Sequence, residues 1–357
     1  MLDRVNRLRV FLQEQSLDAA FITSGENVFY LSGFTGFGDA RLFITEEAAV
    51  LLTDARYALQ AEQEAPLFTP IIKSAVHLPA FRELVEKHGI RSIAFENQKI
   101  LYSDYIRYTE FVPGLRWAGL DHTIEQIRNQ KDIGEQQRIR EACRIAADAF
   151  NETLPYLRAG ITEQDVACEL EYRMRRRGAA KPSFDTIVAS GKRGAMPHGT
   201  ASGKKLEKGD GITMDFGAVY CGYCSDMTRT VFLEEPAQEL RRIYEIVLEA
   251  QLCAINGFYE GIAANLLDQT ARNIIASNGY GACFGHGLGH GVGVEIHEGV
   301  NISARSQQPL TEGMVFSIEP GIYVPDLGGV RIEDLVTVSG GALQILTADA
   351  AKDILIL

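Results

Sequence analysis

The sequence predicts an α+β protein of two domains, in which an N-terminal α/β domain precedes a strand-rich α+β domain. Three observations lead to this prediction. The chain has 357 residues, which is long for a single hydrophobic core. Residues 1–120 alternate helix-like and strand-like segments, whereas β-favouring segments predominate after residue 183. The pattern weakens in between, so we place a linker at about 120–131 and the domains at 1–125 and 126–357.

The composition argues against several classes of partner. The chain is 46% hydrophobic and 23% charged, as is ordinary for a globular protein, and its formal net charge is −12. Nucleic acids and anionic membranes attract basic surfaces, so neither is an expected partner. The first residues lack the apolar core of a signal peptide, and no window approaches the ~18 apolar residues of a membrane span. We therefore expect a cytoplasmic protein.

The N-terminal domain is predicted from alternating periodicities. Apolar residues at helical spacing mark one face of a first helix: Val5, Leu8, Phe11 and Leu12. Three segments have the character of strands: 19–23, 42–45 and 49–53. A helix that ends near Gly89 and a strand in SIAFE follow. This part of the sequence contains no metal or nucleophile pattern, so we expect the chemistry in the second domain.

The second domain is predicted to open with two helices. The first starts at a capping box formed by Asp132 and Glu135, and the second starts at Thr162 and stops at Gly178. Arginines crowd the end of the second helix, and we interpret them as partners of the helix dipole rather than as an anion site: Arg173, Arg175, Arg176 and Arg177. Two further helices are expected later: 236–256 and 264–278. The strands around them should pair mostly antiparallel.

A predicted hairpin in MDFGAVYCGYCSDMTRT, residues 214–230, carries two acids. Strands at 212–219 and 223–233 are joined through the turn at 220–222. If the hairpin is centred between Tyr220 and Cys221, Asp215 and Asp226 lie directly opposite. A slightly longer loop makes them diagonal neighbours. Close carboxylates repel unless one is protonated or a cation lies between them, so a metal site is favoured over two solvated aspartates.

A second hairpin with two acids follows in FSIEPGIYVPDLGGVRIEDLVTV, residues 316–338. Glu319 sits in an apolar strand, and Glu333 lies on the strand after the Pro/Gly turn. The repetition indicates two pseudo-equivalent halves that face one site.

Between the hairpins, GHGLGHGVGVEIHEG has glycine at every second position from 285 to 293. This excludes a stable helix and therefore a helical zinc motif. In an extended segment, His286 and His290 share a face but lie ~13 Å apart, so one can ligate an ion while the other lines the pocket. His297 and His198 are further candidates, and a structural role is the alternative for each histidine.

Cys221 and Cys224 form a C-x-x-C pattern, which raises a redox or zinc alternative. A redox pair normally lies at a helix N-terminus, whereas a β-favouring segment follows here. A zinc site needs further ligands at matching spacing, and no second C-x-x-C occurs. We therefore favour the carboxylates over the sulfurs.

The motifs MDFGAVYCGYCSDMTRT, GHGLGHGVGVEIHE, SIEPGIY and GVRIED, in this order, resemble those of the pita-bread metallopeptidases. Within that family the match is to the Xaa-Pro peptidase branch, aminopeptidase P and prolidase, and it covers essentially the whole chain. The resemblance implies a creatinase-like N-terminal α/β domain, followed by a pita-bread catalytic domain with pseudo-two-fold halves. It implies hydrolysis of the Xaa-Pro bond of dipeptides or peptide N-termini by a metal-bridging hydroxide.

The resemblance also implies two divalent metal ions and their ligands: Asp215, Asp226, His290, Glu319 and Glu333. Asp226 and Glu333 bridge the metals in the family. Asp215 completes one metal site, and His290 and Glu319 complete the other. Because the ligand set is hard and anionic, Mn²⁺ is the expected metal, with Co²⁺ or Zn²⁺ as alternatives. A non-catalytic peptide-binding module on the same fold is the alternative function.

Roles for further residues follow by the same resemblance. Glu319 acts as general base, and His198 and His297 bind the substrate and stabilise the intermediate. The substrate pocket is expected to contain the remaining three residues: His286, Tyr323 and Arg331. The Arg331 side chain orients either the ligand network or the substrate carboxylate. The family is usually dimeric, and the loop 34–41, with Asp39 and Arg41, is expected to reach a neighbouring site. Dipeptidase and aminopeptidase activity remain open at this point.

Overall fold

The computed structural model describes residues 1–73 and 77–357. These residues form two compact units, Met1–Arg128 and Asn129–Leu357. The domain limits of 1–125 and 126–357 stay a prediction. In the described part of the chain, no helix combines the length and the apolar character that a bilayer crossing requires.

The N-terminal unit contains one six-stranded sheet with helices between its strands. The elements up to residue 129 are α1 (Leu2–Glu14), β1 (Ala19–Ile22), α2 (Gly25–Ser32), β2 (Arg41–Thr45), β3 (Ala49–Thr53), α3 (Ala58–Glu64), β4 (Thr69–Ile72), α4 (Leu78–Lys87), β5 (Ser92–Phe95), α5 (Tyr102–Phe111), β6 (Arg116–Gly119) and α6 (Thr123–Asn129). The strand order is β4-β3-β2-β1-β5-β6. Strand β1 pairs antiparallel with β2 and parallel with β5, so the sheet is mixed.

An aromatic cluster fills one side of this sheet. Phe21 on β1 packs against Phe81 and Tyr108, with ring centroids 4.8 and 4.9 Å apart. Phe81 also stacks on Trp117. Phe81, Tyr108 and Trp117 lie on α4, α5 and β6, respectively, which the alternation of strands and helices brings close to β1.

The predicted linker at 120–131 is wrong in one respect, because α6 occupies most of it. Its sequence has little periodicity, yet Ile124 and Arg128 are almost fully buried, one helical turn apart. The Arg128 guanidinium donates to Asn27 Oδ1 at 2.8 Å, and the Asn27 amide donates to Glu125 at 2.9 Å. Tertiary contacts therefore stabilise a short helix that sequence periodicity does not reveal.

The C-terminal unit is α+β. Its elements are α7 (Ile133–Thr153), α8 (Glu163–Arg176), β7 (Lys181–Pro182), β8 (Ile187–Ser190), β9 (Gly211–Phe216), β10 (Ala218–Tyr220), β11 (Tyr223–Cys224), β12 (Met227–Phe232), α9 (Gln238–Asn256), α10 (Ala264–Ser277), β13 (Gly289–His290), β14 (Asn301–Ile302), β15 (Val315–Ile318), β16 (Gly321–Val324), β17 (Gly328–Arg331), β18 (Asp334–Ser339) and β19 (Ala342–Ile345). Capping boxes at Asp132 and Thr162 start α7 and α8, as predicted. The ladders between these strands are antiparallel.

Two halves of this unit repeat one construction. Apolar faces of α7 and α8 pack on the sheet β12-β9-β8, with Phe150 stacked on Phe216. In the second half, α9 and α10 pack on β15 and β18 in a core that includes Val247 and Phe316. The halves meet at the second strand of each hairpin, where the backbone N–H of Glu333 donates to Thr228 O at 3.1 Å. Each half therefore presents one acid-bearing hairpin to a shared region.

The arginines at the end of α8 hold two helices together. Arg177 Nη1 lies 2.6 Å from Asp148 Oδ2, and Arg173 Nη1 lies 3.1 Å from Glu152 Oε2. Asp148 and Glu152 belong to α7, so the charges link α7 to α8. This agrees with a structural role for the cluster.

Candidate metal centre

A cavity of about 520 Å³ lies within the C-terminal unit, and all ten residues predicted for the site line it. They are Asp215, Asp226, His290, Glu319, Glu333, His198, His297, His286, Arg331 and Tyr323. The acids come from the two hairpins, three histidines come from the glycine-rich segment, and His198 comes from the loop after β8.

In the first hairpin the turn centre lies one residue later than predicted, which shifts the pairing register by two residues. Its turn is centred between Cys221 and Gly222, both of which have positive φ, and Tyr220 pairs with Tyr223. This is the backbone of a two-residue type I′ turn. Asp215 consequently pairs with Thr228, and the directly opposite arrangement of Asp215 and Asp226 is wrong. The alternative of diagonal neighbours is confirmed.

Asp226 lies at an interruption of this hairpin. The ladder β9–β12 ends at the pair Phe216–Met227, and β10–β11 begins beyond Gly217 and Ser225. A Cβ built on Gly217 would lie 1.9 Å from Ser225 O, so only glycine permits this close approach. The interruption releases Asp226 from regular pairing, and its side chain faces the cavity.

The second hairpin has the same construction. Ile318 pairs with Asp334 and Gly321 pairs with Arg331, which leaves Glu319 and Glu333 in the interruption between the two ladders. Glu319 therefore follows β15 rather than lying inside it. Since both hairpins are interrupted at their acids, the repetition seen in the sequence is also present in the backbone.

The imidazole of His290 presents its Nε2 to the acids. Its Nδ1 lies 3.2 Å from Gly291 O, and a carbonyl only accepts, so Nδ1 carries the hydrogen. Burial lowers the pKa of His290, which keeps the ring neutral. Nε2 is then an unprotonated nitrogen, 3.4 Å from both Asp226 Oδ2 and Glu319 Oε1. This is the tautomer that a metal ligand requires.

The buried acids destabilise one another as anions. Burial raises the pKa of Asp226 well above its ordinary value, and Glu333 and Asp215 raise it further. Burial likewise raises the pKa of Glu333, with Glu319 as a second cause, and burial raises the pKa of Glu319 to about 7. A divalent cation among these carboxylates would relieve the repulsion and favour their ionised forms.

The Arg331 guanidinium forms hydrogen bonds with four residues. Its Nη2 donates to Asp215 Oδ2 at 2.7 Å, and its Nε donates to Thr228 Oγ1 at 3.0 Å. Its Nη1 donates to Tyr323 Oη at 2.9 Å and to Pro197 O at 3.2 Å. Four of the five N–H groups of the guanidinium thus have partners among the described residues.

His286 and Tyr323 continue this chain of hydrogen bonds. His286 Nδ1 donates to Gly287 O at 2.8 Å, and burial lowers the pKa of His286 to about 4, so the ring is neutral. Its Nε2 must then accept from Tyr323 Oη at 3.0 Å. Both ring nitrogens of His286 are occupied, which leaves the ring face to line the cavity.

His297 and His198 are less constrained. The ring of His297 lies 4.1 Å from that of His290 between centroids, and burial lowers its pKa. His198 is exposed at the cavity. Both imidazoles are therefore accessible to a molecule bound in the cavity.

The cysteines of the C-x-x-C pattern lie in the hairpin turn and on the adjacent strand. Cys221 is an exposed turn residue, and buried Cys224 directs its Sγ at Val294 O, 3.7 Å away. Among the described residues, the group that could hold a metal contains no sulfur: Asp226, His290 and Glu333, with one ligand atom of each within 4.8 Å of the others. Cys221 is therefore part of the turn, and Cys224 packs against the glycine-rich segment.

The residues present fit a divalent cation. Asp215 Oδ1 is buried and has no hydrogen-bond partner among the described residues, while its Oδ2 is held by Arg331. An unsatisfied carboxylate oxygen is costly in a protein interior unless it meets a cation. Together with unprotonated Nε2 of His290, the donor set is that of a metal site rather than of a hydrogen-bond network.

Comparison with protein families agrees with the geometry. Residues 137–340 match the model of metallopeptidase family M24, and residues 4–130 match that of the creatinase/prolidase N-terminal domain. The chain belongs to metallopeptidase family M24. It is therefore an enzyme that depends on divalent metal, and the predicted fold class is confirmed. The alternative of a non-catalytic module on this fold finds no support.

Individual M24 relatives match over nearly the whole chain. The Xaa-Pro dipeptidase of Pyrococcus furiosus is 40% identical over 349 residues, which cover 97% of this chain and 98% of that protein. The structure of an Xaa-Pro dipeptidase from Bacillus anthracis has a TM-score of 0.96 at 39% identity, covering 100% of this chain and 99% of that one. For an X-Pro aminopeptidase from Thermotoga maritima the TM-score is 0.92 at 40% identity, with 99% of each chain covered.

The sequence did not predict two residues, Thr228 and Ser317, that hydrogen-bond to candidate ligands of the M24 site. The Thr228 hydroxyl donates to Glu333 Oε2 at 2.7 Å, and the Ser317 hydroxyl lies 3.0 Å from both Glu319 Oε1 and the His290 N–H. A hydroxyl residue inside an otherwise apolar strand was the available signal for Ser317. Thr228 gave no such signal, because threonine is favoured in strands for its shape alone.

Proposed function

We propose that this chain hydrolyses the peptide bond between an N-terminal residue and proline, in dipeptides or at peptide N-termini. The observation that carries the proposal is the convergence of four carboxylates and the unprotonated His290 Nε2 on one cavity. Relatives that match nearly the full chain are named for Xaa-Pro cleavage, which supports the choice of substrate.

The proposed ligands of two divalent metals are the five residues identified by resemblance: Asp215, Asp226, His290, Glu319 and Glu333. Asp226 and Glu333 would be shared by both metals, Asp215 would serve one of them, and His290 and Glu319 would serve the other. When bound, the metals lower the pKa of water and polarise the scissile carbonyl. Oxygen-rich ligation favours Mn²⁺, with Co²⁺ or Zn²⁺ as substitutes.

The proposed proton transfers run through Glu319. Its carboxylate takes a proton from the attacking water as the new C–O bond forms, and returns it to the proline nitrogen as the C–N bond breaks. Burial raises the pKa of Glu319 to about 7 in the metal-free chain, and bound cations would lower it and favour the carboxylate form that accepts the proton. The Ser317 hydroxyl, 3.0 Å from Oε1, holds the carboxyl in place.

The remaining residues are proposed to bind the substrate. The ring faces of His286 and Tyr323 line the pocket for proline, and His198 and His297 donate to the developing oxyanion. Arg331 primarily orients Asp215 and Tyr323, because four of its N–H groups already serve the protein. Its fifth N–H is available to the substrate carboxylate.

Further parts of the proposal concern the whole chain. We propose a cytoplasmic homodimer that acts on proline-containing peptides, with domains at 1–125 and 126–357 and the loop 34–41 near a neighbouring site. Within the N-terminal unit, Asp39 accepts from Tyr57 Oη at 2.8 Å and pairs with Arg56 at 3.0 Å, which holds this loop in a defined conformation.

Three peptides test the proposed substrate in the presence of Mn²⁺: Ala-Pro, Ala-Pro-Ala and Ala-Ala. Release of alanine from Ala-Pro but not from Ala-Ala is expected, since the proposed pocket accommodates a proline ring. Cleavage of Ala-Pro-Ala in addition identifies an aminopeptidase, and its absence a dipeptidase. If neither proline peptide is cleaved, the substrate assignment is wrong.

A further inference from the structure

The segment 190–202, which we call the His198 loop, forms one wall of the cavity. Pro197, His198 and Thr200 line the cavity from this loop. The His198 side chain is exposed and makes no hydrogen bond or ion pair with the described residues. No side-chain contact among the described residues anchors His198, so the loop backbone alone sets where its Cα lies and which part of the cavity the imidazole can reach.

Glu163 holds both ends of the His198 loop. At the start of the loop, its Oε1 accepts from the Ser190 backbone N–H at 2.8 Å and from the Ser190 hydroxyl at 2.9 Å. At the end of the loop, its Oε2 accepts from the Ser202 N–H at 3.1 Å and from the Ser202 hydroxyl at 2.6 Å. One rigid carboxyl group thus spans two chain positions that are twelve residues apart.

The charge of Glu163 suits this location. Its side chain is fully buried in the first turn of α8, where the helix dipole favours an anion. Arg193 Nε, from the middle of the loop, lies 3.0 Å from its Oε2. The same guanidinium donates from Nη2 to Thr200 O at 2.6 Å. Five donors surround the carboxylate, so it is fully satisfied, and the hydrogen bonds are strengthened by charge.

The opposite side of the His198 loop is fixed against β17. A Cβ built on Gly329 would lie 2.2 Å from Gly194 O, so the two backbones touch with no room for a side chain. Pro197 O accepts from Arg331 Nη1 at 3.2 Å, and Arg331 in turn holds Asp215. The loop is therefore confined between α8 and the strand that carries the central arginine.

We propose that Glu163 is a positioning residue, which fixes His198 at the cavity by holding both ends of the His198 loop. The inference rests on the proposed function, since it assumes that His198 acts on the bound peptide. Glu163 itself does not line the cavity, so its effect on turnover passes through the loop.

A double-mutant cycle tests this with Glu163→Gln, His198→Ala and the combined variant, assayed on Ala-Pro with Mn²⁺. Glutamine keeps the shape of the Glu163 side chain but turns an NH₂ group towards the N–H and hydroxyl donors of the loop. The kcat should therefore fall by about 10–100-fold, as it does when residues that orient metal ligands are mutated. His198→Ala should cost about 10²–10³-fold, as for loss of an oxyanion donor. In the His198→Ala background, Glu163→Gln should cost little more, because no imidazole remains to be positioned.

Two controls keep the result decisive. Glu169→Gln, on the same helix but paired only with Arg173 at the surface, should leave kcat unchanged. If Glu163→Gln does not fold, Ser202→Ala takes its place in the cycle, because it removes the 2.6 Å hydrogen bond to Glu163, together with the 3.2 Å bond that the Ser202 hydroxyl accepts from the Lys204 N–H. Equal losses in both backgrounds, or no loss in either, would overturn the positioning role of Glu163. Wild-type kcat in His198→Ala would overturn it together with the proposed role of His198, whereas an inactive wild type would contradict the proposed function itself.

Discussion

At the scale of single residues, one arginine organises an anionic site. Arg331 binds Asp215, Tyr323 and the Pro197 carbonyl, and through Thr228 it is linked to Glu333. One guanidinium cannot neutralise four carboxylates, and burial together with the neighbouring acids raises the pKa values of Asp226, Glu319 and Glu333. The site is thus arranged for further positive charge, and metal binding should depend on both the acids and pH.

Replacing Asp226 by asparagine should abolish turnover. The substitution removes a carboxylate proposed to bridge the two metals. Mutation of a residue that only orients a metal ligand typically lowers activity about 10–100-fold, so a loss above about 100-fold is expected for the ligand itself. The measurement is kcat/KM on Ala-Pro at saturating Mn²⁺, with metal content determined in parallel. Asp326→Asn is the matched control, because that side chain is 92% exposed and asparagine tolerates its positive φ. Substantial turnover by Asp226→Asn would contradict the bridging role.

Metal affinity should rise as pH rises through about 7. Burial raises the pKa of Glu319 to about 7, so below that pH its carboxyl is largely protonated and must release a proton to ligate. Calorimetric titration with Mn²⁺ in buffers of different ionisation enthalpy counts the protons released. Glu319→Gln should release fewer protons than the wild type at pH 6.5. An affinity independent of pH across this range would contradict the sign of the shift.

At the scale of elements, backbone contacts position the ligands. The glycine-rich segment lies against β15 so closely that a Cβ on Gly289 would meet Ser317 O at 1.9 Å. This contact places His290 beside Glu319, and the Ser317 hydroxyl accepts from the His290 N–H. Close packing therefore explains why glycine occupies position 289.

Gly289→Ala should destabilise the chain and weaken metal binding. The added methyl group meets backbone, which cannot yield as a side chain does, and a cost of about 1–3 kcal/mol is expected. Gly285→Ala is the control in the same segment, since its Cβ would meet nothing within 4 Å. Denaturation midpoints and Mn²⁺ affinities of the two variants are compared. Similar behaviour of both would show that the close approach is unimportant.

Local sequence patterns predicted the helices and strands well, but they did not predict contacts between residues far apart in the chain. Capping residues and apolar spacing were enough for α7 and α8, because those signals lie within a few residues of each other. The predicted turn centre is wrong by one residue and the pairing register by two, since Cys221 is not a usual residue at positive φ and does not mark the turn. The contacts of Arg331 with Asp215 and of Glu163 with Ser202 join residues 116 and 39 positions apart, which no local pattern encodes.

At the scale of the C-terminal unit, a buried ion network ties the C-terminal residues to both halves. Arg229 on β12 donates to Asp334 Oδ1 at 2.7 Å, and both side chains are 1% exposed. Asp334 also accepts from Gln251 on α9 at 2.9 Å and from Thr347 at 2.8 Å. Burial alone would raise the pKa of Asp334, but Arg229 and Lys352 outweigh it and lower that pKa to about 2.

Asp334→Asn should destabilise the protein at neutral pH. It leaves the Arg229 charge buried without its partner, at an expected cost of about 3–5 kcal/mol. Because the folded pKa is depressed, this stabilisation is present above the unfolded value and is lost as pH falls through about 2. Thermal midpoints are measured against Glu235→Gln, whose pair with Arg241 is exposed and should matter little. Equal midpoints for both variants would contradict a structural role for the network.

The central claim is that the residues of this cavity hold two divalent metals that make the chain a peptidase. The most direct measurement strips the metal with a chelator, restores Mn²⁺ stepwise, and follows Ala-Pro hydrolysis together with bound metal per chain. We expect no turnover in the stripped protein, and activity that saturates as about two ions bind per chain. Full activity in the stripped protein, or metal uptake unaffected by Asp226→Asn, would contradict the account.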